Sequence, residues 1–213
     1  MTYHVGRIPI SDREISTDNF LEHVESMRAR IETATDQVKS AGIDCLIMAV
    51  ALEAFWGGIE QSEALKRKLA DHAGVPVILG SDAVAAALNA FGAKTIAVLT
   101  PHMPKGDVEV QNWLEQSGFV VKRLTGLQCQ SPRAIAQVPQ DRIRDELVAL
   151  DGDDIDALVQ VGTNLAGATV AAHAERTLAK PVIPINTVSA WATLRQAGVT
   201  DRITGRGRIL EDH

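Results

Sequence analysis

Two side chains in this sequence could move protons. Glu53 lies in the otherwise apolar run Ala51-Leu52-Glu53-Ala54-Phe55-Trp56. A carboxylate among apolar groups has its pKa raised and becomes a usable acid or base. The other reading is a helix N-terminal carboxylate that faces solvent and satisfies free N–H groups. His102, in Thr100-Pro101-His102-Met103, titrates near neutrality and can donate a hydrogen bond. Its alternative is a surface-loop histidine beside Lys105 and Gly106. Thr163 and Asn164 follow an apolar run that ends at Val161. Their hydroxyl, amide and backbone N–H groups make either an anion cradle at a strand-to-helix turn or an ordinary helix cap. Gly162 either admits close approach of a ligand or permits a tight turn. Arg7 and His4 could present a cation to a carboxylate, although a structural role is the simpler reading of both.

These residues fall on two matching stretches, Asp44–Gly57 and Asp156–Gly167. Each has an acidic start, an apolar strand and a short turn running into a helix. The pattern places strands at 3–10, 45–50, 75–79, 95–99, 119–124, 157–161 and 182–185. Between them lie helices after Thr17 or Asp18, at 62–73, 81–91, 107–117, 140–150, 168–178 and 188–197, bounded by glycines such as Gly42, Gly74 and Gly92. Strands alternating with helices imply parallel sheets. The repeat implies an α/β fold of two pseudo-symmetric, flavodoxin-like lobes facing each other across a cleft, with 1–91 plus 190–213 as lobe one and 92–189 as lobe two. Ligands bind at the carboxyl ends of parallel strands, so a site is expected between the two turns.

The strand count leaves lobe one short. The counterpart of Thr95–Leu99 is missing from it, so either a natural segment precedes Met1 or another element fills the slot. Trp56 and Trp191 are expected to pack in the core or between lobes. Asp151, Asp153 and Asp154 read as a solvated turn, and Arg206 and Arg208 as ties from the tail to lobe one.

Composition narrows the function. The 213 residues are 46% apolar, which supports a sizeable core, and the net charge of −6 with scattered basic residues argues against nucleic acid. No CxxC or HExxH spacing points to zinc, and no apolar run is long enough to span a membrane. Cys45, inside a strand, and Cys129, in a polar loop, read as free thiols of a cytoplasmic protein.

The two-lobed repeat, Thr100-Pro101-His102, Gly162-Thr163-Asn164-Leu165, Trp191-Ala192-Thr193-Leu194-Arg195 and the closing Gly205-Arg206-Gly207-Arg208-Ile209 together resemble the aspartate/glutamate racemase superfamily. The nearest branch is that of maleate cis-trans isomerase and arylmalonate decarboxylase. The resemblance implies a cofactor-independent enzyme acting on a small carboxylic acid, and a homodimer. It places Val50 and Ala51, with Gly162, Thr163 and Asn164, around the substrate. Val50 and Gly162 stand where the family carries its cysteines, and His102 where it carries a tyrosine that donates to the substrate carboxylate. A thiolate serves as nucleophile or proton carrier, and neither Val50 nor Gly162 supplies one. Two-cysteine racemisation and thiolate addition to an alkene are therefore disfavoured, whereas lyase or decarboxylase chemistry needs only one proton donor, with Glu53 or His102 in that role. The alternatives are a carboxylate-binding protein without catalysis and a hydrolase in which Glu53 activates water.

Overall fold

The structure, a computed structural model, describes residues 2–16 and 19–213. The helix expected after Thr17 or Asp18 is α1 (Phe20–Lys39), whose apolar face buries Phe20, Val24, Met27, Ile31 and Val38 at helical spacing. Thr17 and Asp18 lie outside the described residues, and Asn19 occupies the N-cap position. After β1 (Leu46–Met48) come a short helix α2 (Ala51–Phe55), α3 (Gly58–Ala73), β2 (Val77–Leu79) and α4 (Gly80–Ala90). The second half runs β3 (Thr95–Thr100), α5 (Pro104–Gln116), β4 (Val120–Gly126), α6 (Pro132–Ala136), α7 (Gln140–Leu150), β5 (Ala157–Gln160), α8 (Ala168–Leu178), β6 (Val182–Pro184), α9 (Ile185–Gln196) and α10 (Arg208–Asp212).

All strand pairings are parallel. One sheet has the order β4-β3-β5-β6 and the other is the pair β1-β2. Strand β1 on β2, with Leu46 opposite Val77, repeats β5 on β6, with Leu158 opposite Val182. The internal repeat is thus an α/β fold of two parallel-sheet lobes. Strand β5 is buried at every position, as expected of a strand covered on both faces, whereas β4 at the sheet edge is half-exposed along its length.

The lobes share one core. Phe55, Leu69, Leu79 and Leu88 from the first half pack in the same cluster as Ile96, Leu114, Ile183 and Ile185 from the second. The starts of α4 and α9 meet closely, since a side chain at Gly80 would come within 2.6 Å of Ile185 Cδ1. Among the described residues no helix is long and apolar enough to cross a membrane.

The first expected strand is absent. Residues 2–16 form an extended arm without strand pairing. Tyr3 and Val5 are exposed, while Ile8 packs against the core and Ile10 against the smaller cluster around α1. The alternation that suggested a strand arises from this one-sided packing, and Gly6 lies so close to the Ala34 carbonyl that no side chain fits there. Lobe one therefore lacks two strand positions rather than one. No strand among the described residues fills the slot beside β1. The tail also departs from expectation. Arg208 donates its N–H to Glu175 Oε2 on α8 at 2.8 Å and lays its guanidinium 5.2 Å over Phe91, so it ties both lobes together rather than lobe one alone.

Candidate active site

The turn after β1 and the turn after β5 touch. Thr163 Oγ1 donates to the Ala49 carbonyl at 3.0 Å, joining the two stretches that the repeat pairs. Beside this junction lies a cavity of about 630 Å³, within the range of small-molecule sites, roughly 300–1,000 Å³. Val50, Ala51, His102, Gly162, Thr163 and Asn164 all line it, with Arg7 from the arm. Apolar side chains also line it, among them Ile10, Ile15, Phe20, Met27 and Met103, which pack in one cluster with Val50 and Leu52.

The arm and α6 close one side. Asp12 accepts from the Arg133 backbone N–H at 3.0 Å and pairs with its guanidinium at 3.1 Å, while Ile15 N donates to Gln130 O at 2.6 Å. The backbone N–H of Arg133 holds the Asp12 carboxyl below its usual range.

Gly162 has φ +108°, a conformation that favours glycine. A Cβ there would meet Pro101 Cδ and Cγ at 2.5 Å. The glycine is thus fixed by a proline on the neighbouring strand end. Thr163 and Asn164 line the cavity, but their donors already have partners: the Thr163 hydroxyl bonds Ala49 O, and Asn164 Nδ2 bonds Pro132 O at 2.5 Å. One proton of the Asn164 amide is left for a ligand. Asn186, at the start of α9, donates to Thr163 O at 2.9 Å and also lines the cavity. On the facing turn, the N-cap of α2 is Val50, which has no side chain to satisfy the first-turn N–H groups.

His102 is held from behind. The Thr100 hydroxyl donates to Asp107 Oδ1 and accepts from the His102 backbone N–H at 3.0 Å, and Gln128 N donates to His102 O at 3.2 Å. The imidazole Nε2 is buried without a partner. Burial pushes the His102 pKa down to about 4, so the ring is neutral, and burial pushes the Asp107 carboxyl up to about 6 against the pull of the Thr100 hydroxyl. Gly126 leaves room for that carboxylate, since any side chain there would collide with it.

These two shifts have opposite consequences for stability. Asp107, raised from 3.8, contributes stability fully present below that value and lost as pH rises through about 6; His102, lowered from 6.5, contributes stability present above that value and lost as pH falls through about 4. Asp107→Asn keeps an oxygen to accept from Thr100 and removes the charge. The variant is expected to be more stable than wild type at about pH 8, by ~1 kcal/mol after allowing for solvent screening, with the advantage gone by about pH 4. Urea midpoints across that range measure it, and equal stability at pH 8 would contradict the burial argument.

Glu53 is not brought to the cavity wall. It is 3% exposed, with Oε2 bonded to Arg28 Nε at 2.8 Å and Oε1 unpartnered. Burial raises its pKa, opposed by the Arg28 bond and charge. It is neither the solvent-facing acid nor a cavity group, because α2 turns it towards α1, where Arg28 also lies 5.5 Å over Trp56. His4 is exposed and lies outside the cavity lining.

Besides Asn186, Cys129 and His23 enter the site unforeseen. Cys129 lines the cavity because Leu127 and Cys129 continue hydrogen bonding to Thr100 O and Pro101 O beyond the end of β4. Its thiol is pushed up by burial, away from the reactive thiolate. His23 lines it from α1; it occupies the apolar stripe of that helix between Phe20 and Met27, and a polar residue in that stripe is the one signal that could have marked it.

A profile of the arylmalonate decarboxylase family matches residues 11–210. The maleate isomerase of Pseudomonas putida is 26% identical over 189 residues, covering 87% of this chain and 75% of that protein. Among solved structures, the Nocardia farcinica maleate cis-trans isomerase with a covalently bound succinylcysteine intermediate matches with a TM-score of 0.87 at 22% identity, over 95% of this chain and 83% of that one. Arylmalonate decarboxylase matches with a TM-score of 0.79 at 20% identity, over 88% and 83% respectively. The structural likeness establishes the fold, and the profile, spanning nearly the whole chain, establishes that the chain belongs to the arylmalonate decarboxylase family.

Proposed function

We propose that the protein is a cofactor-independent decarboxylase of a malonate bearing an apolar substituent, working without cysteine at its two turns. The carrying observation is the cavity itself: it combines polar groups at the joined turns with apolar side chains from the arm and α1, and has no thiol at Val50 or Gly162. One carboxylate is held by the N–H groups at the start of α2 and by the free proton of the Asn164 amide. The apolar substituent lies against Ile10, Ile15, Phe20 and Met27. The second carboxylate departs as carbon dioxide, and the electron pair is left as an enediolate.

Negative charge that builds on the enediolate oxygens requires a donor already in place, because such a donor acts only as the charge develops. His102 supplies it. A bound anion within about 4–6 Å favours the charged imidazole, so substrate binding draws a proton on to a ring that burial otherwise keeps neutral. Glu53, paired with Arg28, takes no part, which disfavours the hydrolase reading.

The succinylcysteine adduct seen in the Nocardia farcinica isomerase needs a nucleophilic thiol. The cavity offers only Cys129, whose pKa is raised by burial. Isomerisation of maleate is therefore not expected. Incubation with phenylmalonate is expected to release carbon dioxide and form phenylacetate, while maleate is left unchanged. Binding of phenylmalonate without turnover would instead favour a carboxylate-binding protein.

A further inference from the structure

Resting on the decarboxylase reading, one step has no assigned group: the α-carbon of the enediolate must receive a proton, and His102 is assigned to the oxygens. We infer that His23 is the proton donor to carbon, a second catalytic group of this cavity. His23 is 4% exposed, and its Nδ1 has no hydrogen-bond partner among the described residues, yet the residue lines the cavity. A buried polar atom without a partner is destabilising, so keeping this imidazole beside the cavity, on a helix face otherwise made of Phe20, Val24 and Met27, calls for a role that packing does not supply. The chemistry of the ring fits the vacancy left by the family thiols, since imidazole exchanges protons near neutrality.

The surroundings keep the ring neutral until substrate enters. Burial and the charge of Arg13 lower its pKa. Arg13 is itself paired with Glu22 at 2.9 Å, and Asp12 with Arg133, so apart from Arg7 the charges near the ring from the arm and α6 are already matched. His102 and Cys129, both neutral, complete the titratable groups of the wall. A dianionic malonate is then the strongest uncompensated charge in the cavity, and it raises the imidazole pKa as it binds.

The step balances without a cofactor. The bond from the α-carbon to one carboxylate breaks, carbon dioxide leaves, and the electron pair remains as the enediolate. The imidazolium of His23 gives its proton to the α-carbon, forming the C–H bond of the monoacid. Neutral His23 takes up a proton from solvent as the next dianion binds.

A malonate carrying methyl and phenyl groups on the α-carbon tests the assignment, because protonation from one side gives one enantiomer of the product. His23→Asn keeps a polar group near the position of Nδ1 and cannot titrate. It is expected to lower kcat by roughly 10²–10⁴-fold with KM changed far less, to abolish the fall of kcat/KM as pH rises through the lowered pKa of the free ring, and to give near-racemic product as water becomes the proton source. Imidazole added to His23→Ala is expected to restore part of the rate, which separates loss of the proton carrier from loss of the fold. His23→Asn turning over at the wild-type rate with a single enantiomer would overturn the role of His23 alone. Wild-type protein that releases no carbon dioxide from this malonate would overturn the decarboxylase reading and the inference with it.

Discussion

Gly162→Cys, which would return a thiol to one family position, is expected to melt well below wild type and to gain no activity. The backbone there has φ +108°, and the new Cβ would sit 2.5 Å from two atoms of the Pro101 ring. Proline cannot rotate away, and Pro101 is held in place because its carbonyl accepts from Cys129 N at 3.0 Å. Left-handed strain and overpacking together amount to about 2–5 kcal/mol, a fall in Tm of roughly 5–15 °C for a chain of this length. Val50→Cys is the control. Val50 is half-buried with extended φ −117° and ψ 99°, so the smaller thiol is accommodated and Tm is expected within a few degrees of wild type. Calorimetry on both variants decides the point, and a Gly162→Cys protein as stable as wild type would show that the turn relaxes.

The second large effect is on turnover. His102→Ala removes the imidazole assigned to the enediolate oxygens, and is expected to lower kcat by roughly 10²–10³-fold, the range for losing one preorganised donor to a developing oxyanion. His102→Gln, which keeps an N–H donor, is expected to recover part of that loss. Glu53→Gln is expected to stay within a few-fold of wild type, since the carboxylate lies off the cavity and bonds Arg28 instead. Steady-state rates on phenylmalonate separate the two candidates. A collapse of activity in Glu53→Gln with folding intact would return the proton-moving role to Glu53.

The part of this site legible in the sequence is the part that secondary structure dictates. Val50, Gly162, Thr163 and Asn164 end strands of one repeat, and parallel strands deliver their carboxyl ends to the same edge, so these residues share a cavity. Side-chain direction is another matter. Glu53 looked exceptional among apolar neighbours, but its position in α2 aims it at α1 and Arg28, a pairing across 25 residues that no local pattern shows. His23 was hidden for the opposite reason, because a histidine in an apolar stripe reads as core until its unpaired Nδ1 is seen. Thr163 matched the family turn as a ligand donor, yet its hydroxyl closes the joint to Ala49, a tertiary partner 114 residues away. The arm failed as a strand because alternation registers one-sided burial, and the packing of Ile8 and Ile10 produces it without a ladder.

That joint also bears on specificity. A ligand carboxylate competing for the Thr163 hydroxyl would have to displace Ala49 O and loosen the contact between the turns, whereas the first-turn N–H groups of α2, which no side chain caps, would accept one without breaking that bond. On the decarboxylase reading the anion would be held chiefly through backbone.

Turnover of phenylmalonate by the Cys45→Ala, Cys129→Ala double variant tests most directly the claim that this cavity decarboxylates without a thiol. Carbon dioxide release within about threefold of the wild-type rate is the predicted result, because the two cysteines are free, have thiol pKa values raised by burial, and occupy neither turn position. An active wild type whose folded thiol-free variant releases no carbon dioxide would contradict it.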